Sequence, residues 1–243
     1  MTIVSRDNEK LKLARKLLDR RWRDKLGLFA CEGEDLVAAA LDAGLEPVEA
    51  LVDAERPALV ERLQRADLVA PGPLAEASAL GHPPRVLAVF RREALPRLDL
   101  AAPPRVALAL WRVGDPGNVG TLLRALDALG PGFLALSPGC ADVTGPKALR
   151  AAAGATFRVP TCGFDEAPGR RVGLVAHGGV PLAELERGPA TFVLGAEREG
   201  LPEEVLAGCD VLATIPQTGA AESLNVAMAG AIALYEAGRP SPD

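Results

Sequence analysis

The chain has 243 residues, 49% hydrophobic and 24% charged, a balance that excludes disorder as its main state and fits one large domain or two small ones. No apolar run reaches the roughly 20 residues of a membrane span, and the opening MTIVSRDNEKLK lacks the apolar core of a signal peptide. The four cysteines (Cys31, Cys140, Cys162, Cys209) are scattered without a CxxC pair, which suggests reduced thiols in a cytoplasmic protein and neither a disulfide frame nor a metal site.

Net charge is −5, so no global field draws the protein to a polyanion, but the charge is unevenly placed. Residues 1–27 hold nine Lys or Arg (Arg6, Lys10, Lys12, Arg15, Lys16, Arg20, Arg21, Arg23, Lys25) against four acids, giving +5 on a body of −10. That end is either a polyanion contact or a solvated helix face. From its apolar spacing, residues 8–26 are expected to form one amphipathic helix, with Leu11, Ala14, Leu17 and Leu18 on one face. An apolar segment at 28–31, a helix at 34–43 closed by Gly44, a strand at 48–52, a helix at 57–65, and strands at 68–70 and 86–90 complete a small alternating α/β domain over residues 1–95. The Pro- and Arg-rich stretch FRREALPRLDLAAPPR, 90–105, has no sustained period, and a linker is expected over 96–105.

From 106 to 243 the alternation is clearer. Strands are expected at 106–111, 133–136, 157–159, 172–176, 191–194 and 211–215, with helices at 119–129, 145–153 and 223–237. Short apolar strands without inward–outward alternation, separated by helices, indicate a parallel sheet covered on both faces. Ligands of such sheets bind beyond the carboxyl ends of the strands. Three loops have that position: 113–124 (VGDPGNVGTLLR), 195–204 (GAEREGLPEE) and 216–225 (PQTGAAESLN).

The chain is poor in amide side chains. Asn occurs only at 8, 118 and 225, and Gln only at 64 and 217, a depletion compatible with a thermophile, while GC-rich coding would also explain the excess of Arg, Ala, Pro and Gly. Two of the three Asn lie in the three loops. Asn118 is placed to cap the helix that follows it. Arg124, six residues on, sits beside that helix's apolar stripe, where an Arg commonly snorkels or pairs with an acid. Glu197 suits a ribose hydroxyl or a cation, or a helix charge-cap. Ser223 is an expected N-cap for the last helix. That helix carries Ala227, Ala229, Gly230, Ala231 and Ala233, so the sheet or a second subunit can approach it closely. His82 and His177 have no partner at metal or triad spacing, and Ser137 and Ser223 lack the GxSxG elbow.

Taken together, the loops resemble the three motifs of the SpoU (TrmH-like) branch of the SPOUT RNA methyltransferases. N-x-G-x-x-x-R stands at Asn118 to Arg124, strand-then-GxExxG at Phe192 to Gly200, and I-P…S-L-N at Ile215-Pro216 and Ser223-Leu224-Asn225. The resemblance extends to the first half, where Glu32-Gly33 and the basic segment before it look like the family's small L30e-like RNA-binding domain. It implies a C-terminal SPOUT domain with a trefoil knot, S-adenosylmethionine held near Leu194, Gly195, Ile215, Pro216 and Leu224, and a homodimer. It also implies RNA as substrate, methylated at a ribose 2′-hydroxyl, and roles for Arg124, Asn118, Glu197, Ser223 and Asn225 at the reacting centre. A 2′-hydroxyl needs alignment and help in losing its proton. Arg124, always protonated, would orient a phosphate and stabilise the forming alkoxide. Asn118 and Glu197 would orient Arg124 and the ribose. With an acidic body, phosphate contact would fall to the N-terminal basic segment, with Arg112, Lys147 and Arg150 in addition. The two-domain layout favours ribosomal RNA. Transfer RNA as substrate, a catalytically silent RNA-binding paralogue, and an enzyme using a different nucleotide are the alternatives; the absence of GxGxxG after an early strand weighs against the last.

Overall fold

A computed structural model describes residues 2–80, 82–217, 219 and 223–239. In chain order the elements are α1 (Glu9–Lys16), α2 (Arg20–Leu26), β1 (Leu28–Glu32), α3 (Glu34–Asp42), β2 (Glu49–Asp53), β3 (Asp67–Val69), α4 (Pro71–Glu76) and β4 (Val86–Arg91). Then come β5 (Val106–Trp111), α5 (Pro116–Leu129), β6 (Gly132–Leu136), α6 (Pro146–Ala152), β7 (Thr161–Gly163) and β8 (Arg170–Leu174). The chain ends with β9 (Val180–Pro181), β10 (Ala190–Gly195), α7 (Glu203–Leu206), β11 (Val211–Thr214) and α8 (Val226–Gly238). Two compact units result: residues 1–95 with 142–158, and residues 96–141 with 159–243. Among the described residues no helix is long and apolar enough to cross a membrane.

The first unit is built on a four-stranded mixed sheet in the order β1-β4-β2-β3. Strand β4 pairs antiparallel with β1 and β2, while β2 and β3 are parallel. Its two faces are covered separately. One core holds Phe29, Phe90 and Phe157, with ring centroids 5.8 and 6.3 Å from Phe29, against Val37 and Ala40 of α3. The other packs Leu11, Ala14 and Leu17 on Leu51, Leu87 and Val89.

Three expectations for the elements fail here, each for a local reason. Residues 8–26 form two helices, not one. Asp19 takes an extended backbone, its side chain accepts from Arg21 N, and a second helix starts. The carbonyls freed at the break, Leu17 O and Leu18 O, accept from Arg23 Nη1. The expected helix at 57–65 is a single 3-10 turn at Val60–Arg62, preceded by Leu59 in the left-handed region at φ 58°, which α-helix cannot include. The expected strand at 157–159 is replaced by a 3-10 turn, Ala155–Phe157, entered through Ala153 and Gly154 at positive φ. A side chain at Gly154 would meet the Ala39 methyl at 2.8 Å, so the close approach of this turn to α3 requires glycine.

Arg23 is 4% exposed, and its Nε donates to Asp142 Oδ2 at 2.7 Å. The other Asp142 oxygen accepts from Thr144 N, Thr144 Oγ1 and Arg92 Nη2. Burial raises the Asp142 pKa, but the Thr144 hydrogen bonds and the Arg92 and Arg23 charges outweigh it and hold the carboxyl below its usual range. This pair ties residues 142–158 into the first unit.

The second unit is one seven-stranded sheet in the order β7-β6-β5-β10-β8-β11-β9. All of its strand pairs are parallel. Residues Ala107 to Leu110 are all buried, the near-continuous apolar run of a strand covered on both faces. Residues 97 and 98 are paired with the sheet: Arg97 bridges Thr161, and Leu98 N donates to Thr161 O. Helix α8 lies against α5, β10 and β5. Its Gly230 makes that contact possible, because a Cβ there would sit 2.4 Å from Leu122 Cδ2. The small face of α8 thus packs within the monomer.

Candidate functional site

Strands β5 and β10 are neighbours in register, with Leu110 opposite Leu194 and Trp111 opposite Gly195. Beyond β10 come β8 and then β11, paired from Val172 with Val211 to Leu174 with Ala213. The three motif loops therefore leave the same end of the sheet, the first two from adjacent strands and the third from a strand two places beyond. The third is described only in part: Thr218 and residues 220–222 lie outside the described residues.

Each loop is shaped by a local rule. Asp115, not Asn118, caps α5, its Oδ1 accepting from Asn118 N at 2.9 Å. Pro116 takes the first helical position, where no amide donor is needed. The cap is thereby supplied upstream, and the Asn118 side chain is left for other contacts. At the last helix the N-cap is Asn225, not Ser223: Asn225 Oδ1 accepts from Ala227 N and Met228 N. An Asn cap keeps a free amide nitrogen that a Ser cap lacks.

The second loop folds back on itself. Gly200 N donates to Ala196 O at 2.9 Å, and Ala196 and Gly200 form a β-bridge. A Cβ at Gly195 would lie 2.2 Å from Gly200 C and O, so only glycine fits there. Gly200 has open space beside it but a φ of +65°. The two glycines of GxExxG thus serve different ends, one for close backbone approach and one for left-handed backbone.

Side chains join all three loops. Asn225 Nδ2 donates to Asn118 Oδ1 at 3.2 Å, and Asn118 Nδ2 donates to Glu197 Oε1 at 2.6 Å. This relay links residues 107 and 79 positions apart, and it consumes both Asn that sequence reasoning singled out. Arg124 stands apart from it. Six residues along α5 from Asn118 is about 9 Å of rise and about 240° of rotation. Its side chain is exposed and has no hydrogen-bond or ion-pair partner among the described residues. The geometry gives no contact through which Asn118 or Glu197 would orient Arg124 within one chain.

Beside the relay is a cleft of about 140 Å³. Leu194, Gly195, Ile215 and Leu224 line it, as do Glu197 and Ser223, whereas Pro216, Asn118, Asn225 and Arg124 do not. Sequence reasoning missed Leu174, Val175 and Ala176 at the end of β8, and Gly200, Gln217, Val226 and Ala229. The β8 residues carried no motif. Gln217 was legible as one of only two glutamines. Its Oε1 is buried and has no hydrogen-bond partner among the described residues. Arg112, at the end of β5, has left-handed backbone at φ 53°, its N donating to Ser137 Oγ.

The N-terminal cations are largely committed within the first unit. Besides Arg23, Lys10 bridges Asp67 and Glu49, Arg6 pairs with Glu76, and Lys12 with Glu9. That leaves a smaller polyanion surface than the charge count implied. Lys16 and Lys25 each lie 5.0 Å from the Trp22 ring.

An open-ended parallel sheet with glycine-shaped loops at one carboxyl edge, folded about a cleft, defines an α/β ligand-binding enzyme fold. Comparison with known proteins narrows it. Residues 105–235 match the SpoU rRNA Methylase family, and residues 8–88 match the MRM3-like substrate binding domain. The chain is 33% identical over 245 residues to the 23S rRNA (guanosine(2553)-2′-O)-methyltransferase RlmP of Bacillus subtilis, covering 96% of this chain and 97% of that one. It resembles the crystal structure of the SpoU methyltransferase AviRb from Streptomyces viridochromogenes in complex with AdoMet, with a TM-score of 0.83 at 28% identity over 95% and 97% of the two chains. An AdoMet-bound rRNA methyltransferase from Sinorhizobium meliloti gives 0.82 at 28% identity over 98% and 97%. The chain belongs to the SpoU rRNA methylase family.

Proposed function

We propose that this protein transfers the methyl group of S-adenosylmethionine to a ribose 2′-hydroxyl of ribosomal RNA. The observation that carries this reading is the joining of the three family motifs over one cleft by the Asn225–Asn118–Glu197 relay. The cleft fits the cofactor. Its lining is mostly aliphatic, with Glu197, Gln217 and Ser223 as polar side chains among the described residues, and Gly195 and Gly200 add no side chain to it. Leu194, Gly195, Ile215 and Leu224 would hold the cofactor, with Pro216 stiffening the third loop. When bound, it supplies an electrophilic methyl group.

The chain's own residues do the rest. Glu197, Asn118 and Asn225 keep the three loops in one arrangement, and Glu197 and Ser223 present polar atoms to the cleft. Arg124 binds the RNA phosphate and stabilises negative charge forming on the ribose oxygen. Because Arg124 is exposed and about a turn and a half from the relay, it is proposed to serve the site of a second copy, within a homodimer. The apolar face of α8 supports this: Met228, Ile232 and Tyr235, at helical spacing, are 56%, 37% and 63% exposed. A trefoil knot fits the path of the chain, since β11 lies beyond β8 while α8 returns to β10 and β5. The first unit would bind RNA, with Lys16, Arg21 and Lys25 around Trp22 as its contact. A cytoplasmic location fits work on ribosomal RNA.

The test is transfer of labelled methyl from S-adenosylmethionine to unmodified large-subunit rRNA, small-subunit rRNA and tRNA, assayed separately. Label in one rRNA at a single alkali-resistant linkage is the expected result. Label confined to tRNA would overturn the substrate, and no transfer by protein that binds the cofactor would favour a silent paralogue.

A further inference from the structure

The Gln217 amide is a buried polar group that the fold itself does not use. It lines the cleft from the third loop, three residues past β11, and its Oε1 is covered from solvent without a hydrogen-bond partner among the described residues. A buried amide oxygen left unpaired is costly, and the great majority of such groups are satisfied. The chain otherwise nearly dispenses with amides. Of its five, Asn118 and Asn225 form the relay, Asn8 caps α1, and Gln64 lies in the first unit. An amide kept in a largely apolar cleft, its oxygen unpaired among the described residues, points to a ligand.

The missing partner must be a donor, and the surroundings restrict which. Ile215, Leu174, Leu194 and Leu224 share the cleft with Gln217. An ammonium group buried there would need a carboxylate, and the one carboxylate among the described lining residues, Glu197, is engaged by Asn118. A neutral donor on a flat, largely apolar body fits better. An amide carries an acceptor and a donor side by side, the pairing that matches the amino group and adjacent ring nitrogen of adenine. We propose that Gln217 is a specificity-determining residue that holds the adenine of the cofactor, its Oε1 accepting from the exocyclic amino group. This rests on the reading of the cleft as the cofactor site.

The experiment is calorimetric titration of the full chain with S-adenosylhomocysteine and with its purine analogue, which lacks the amino group. Wild type is expected to bind the purine analogue about 5- to 10-fold more weakly, the value of one buried hydrogen bond. In Gln217→Leu the adenine compound should weaken by a similar factor and the two ligands should come within twofold of each other. Gln217→Glu, which keeps an acceptor, should retain the preference for the amino compound. Equal binding of both ligands by wild type, or an undiminished preference in Gln217→Leu, overturns the proposal. The second result would assign the amide to a ribose hydroxyl. Wild type that binds neither compound would instead overturn the cofactor reading, and the adenine contact with it.

Discussion

Gly195→Ala should empty the cleft of ligand while leaving the protein folded. The added Cβ would lie 2.2 Å from Gly200 C and O and 2.6 Å from Leu201 N. An ordinary contact is about 3.5 Å, so the 196–200 segment would have to move outward by more than an ångström. All three clashing atoms are backbone, so no rotamer change relieves them. The loop would lose the Gly200 N to Ala196 O bond, worth about 1 kcal/mol, and take on about 1–3 kcal/mol of overpacking. Residues 197–200 are exposed, so this cost falls on the loop rather than on the sheet. Glu197 moves with the loop, and so does its bond to Asn118. At 1.4 kcal/mol per tenfold, loss of about 2–4 kcal/mol from the loop's closed form weakens S-adenosylhomocysteine by about 30- to 700-fold in titration calorimetry. The melting temperature should fall by only a few degrees. Gly200→Ala meets no atoms but must hold φ +65°, at about 1–2 kcal/mol. Gly200→Asn, which tolerates that backbone, should be milder still. Affinity of Gly195→Ala within twofold of wild type would refute the close-approach argument.

Arg124→Ala should abolish methyl transfer yet leave S-adenosylhomocysteine affinity and thermal stability within experimental error, because the side chain is exposed and free of partners among the described residues; near-normal turnover would remove it from the reacting centre. Asp142→Ala should lower the stability of the first unit by about 3–5 kcal/mol in urea unfolding, since it leaves Arg23 buried and unpaired. Because the folded carboxyl sits below its usual range, the wild-type contribution is complete above about pH 4, the unfolded value, and declines as pH falls through the folded one. The variant should lack that acid-limb slope. Tyr235→Glu combined with Met228→Glu should yield monomer by light scattering; a wild-type chain that is itself monomeric at micromolar concentration would defeat the dimer. Burial raises the Cys162 thiol to about 11, with Glu166 adding to the effect, so its alkylation by iodoacetamide should be slow at pH 8 and accelerate steadily toward pH 11.

What the sequence by itself determined was the part written in local chemistry. Apolar runs bounded by Gly and Pro gave the strands at 106–111, 191–194 and 211–215 nearly to the residue, the first two because they are buried on both faces and need no partner to be recognised. The rarity of Asn made positions 118 and 225 conspicuous, and three short motifs together defined the family. Tertiary structure decided what depends on groups distant in the chain. Asp115 took the cap expected of Asn118, and Asn225 the one expected of Ser223, so the amides were released to meet each other across 107 residues. Arg23, one of nine N-terminal cations by count, is buried because Asp142, 119 residues away, receives it. The helix expected at 57–65 yielded to the burial of Ala58 and Leu63, which a left-handed Leu59 permits. Propensity and motif act over one turn of chain, whereas hydrogen-bond partners and close approaches are set only once the sheets have brought remote segments into contact.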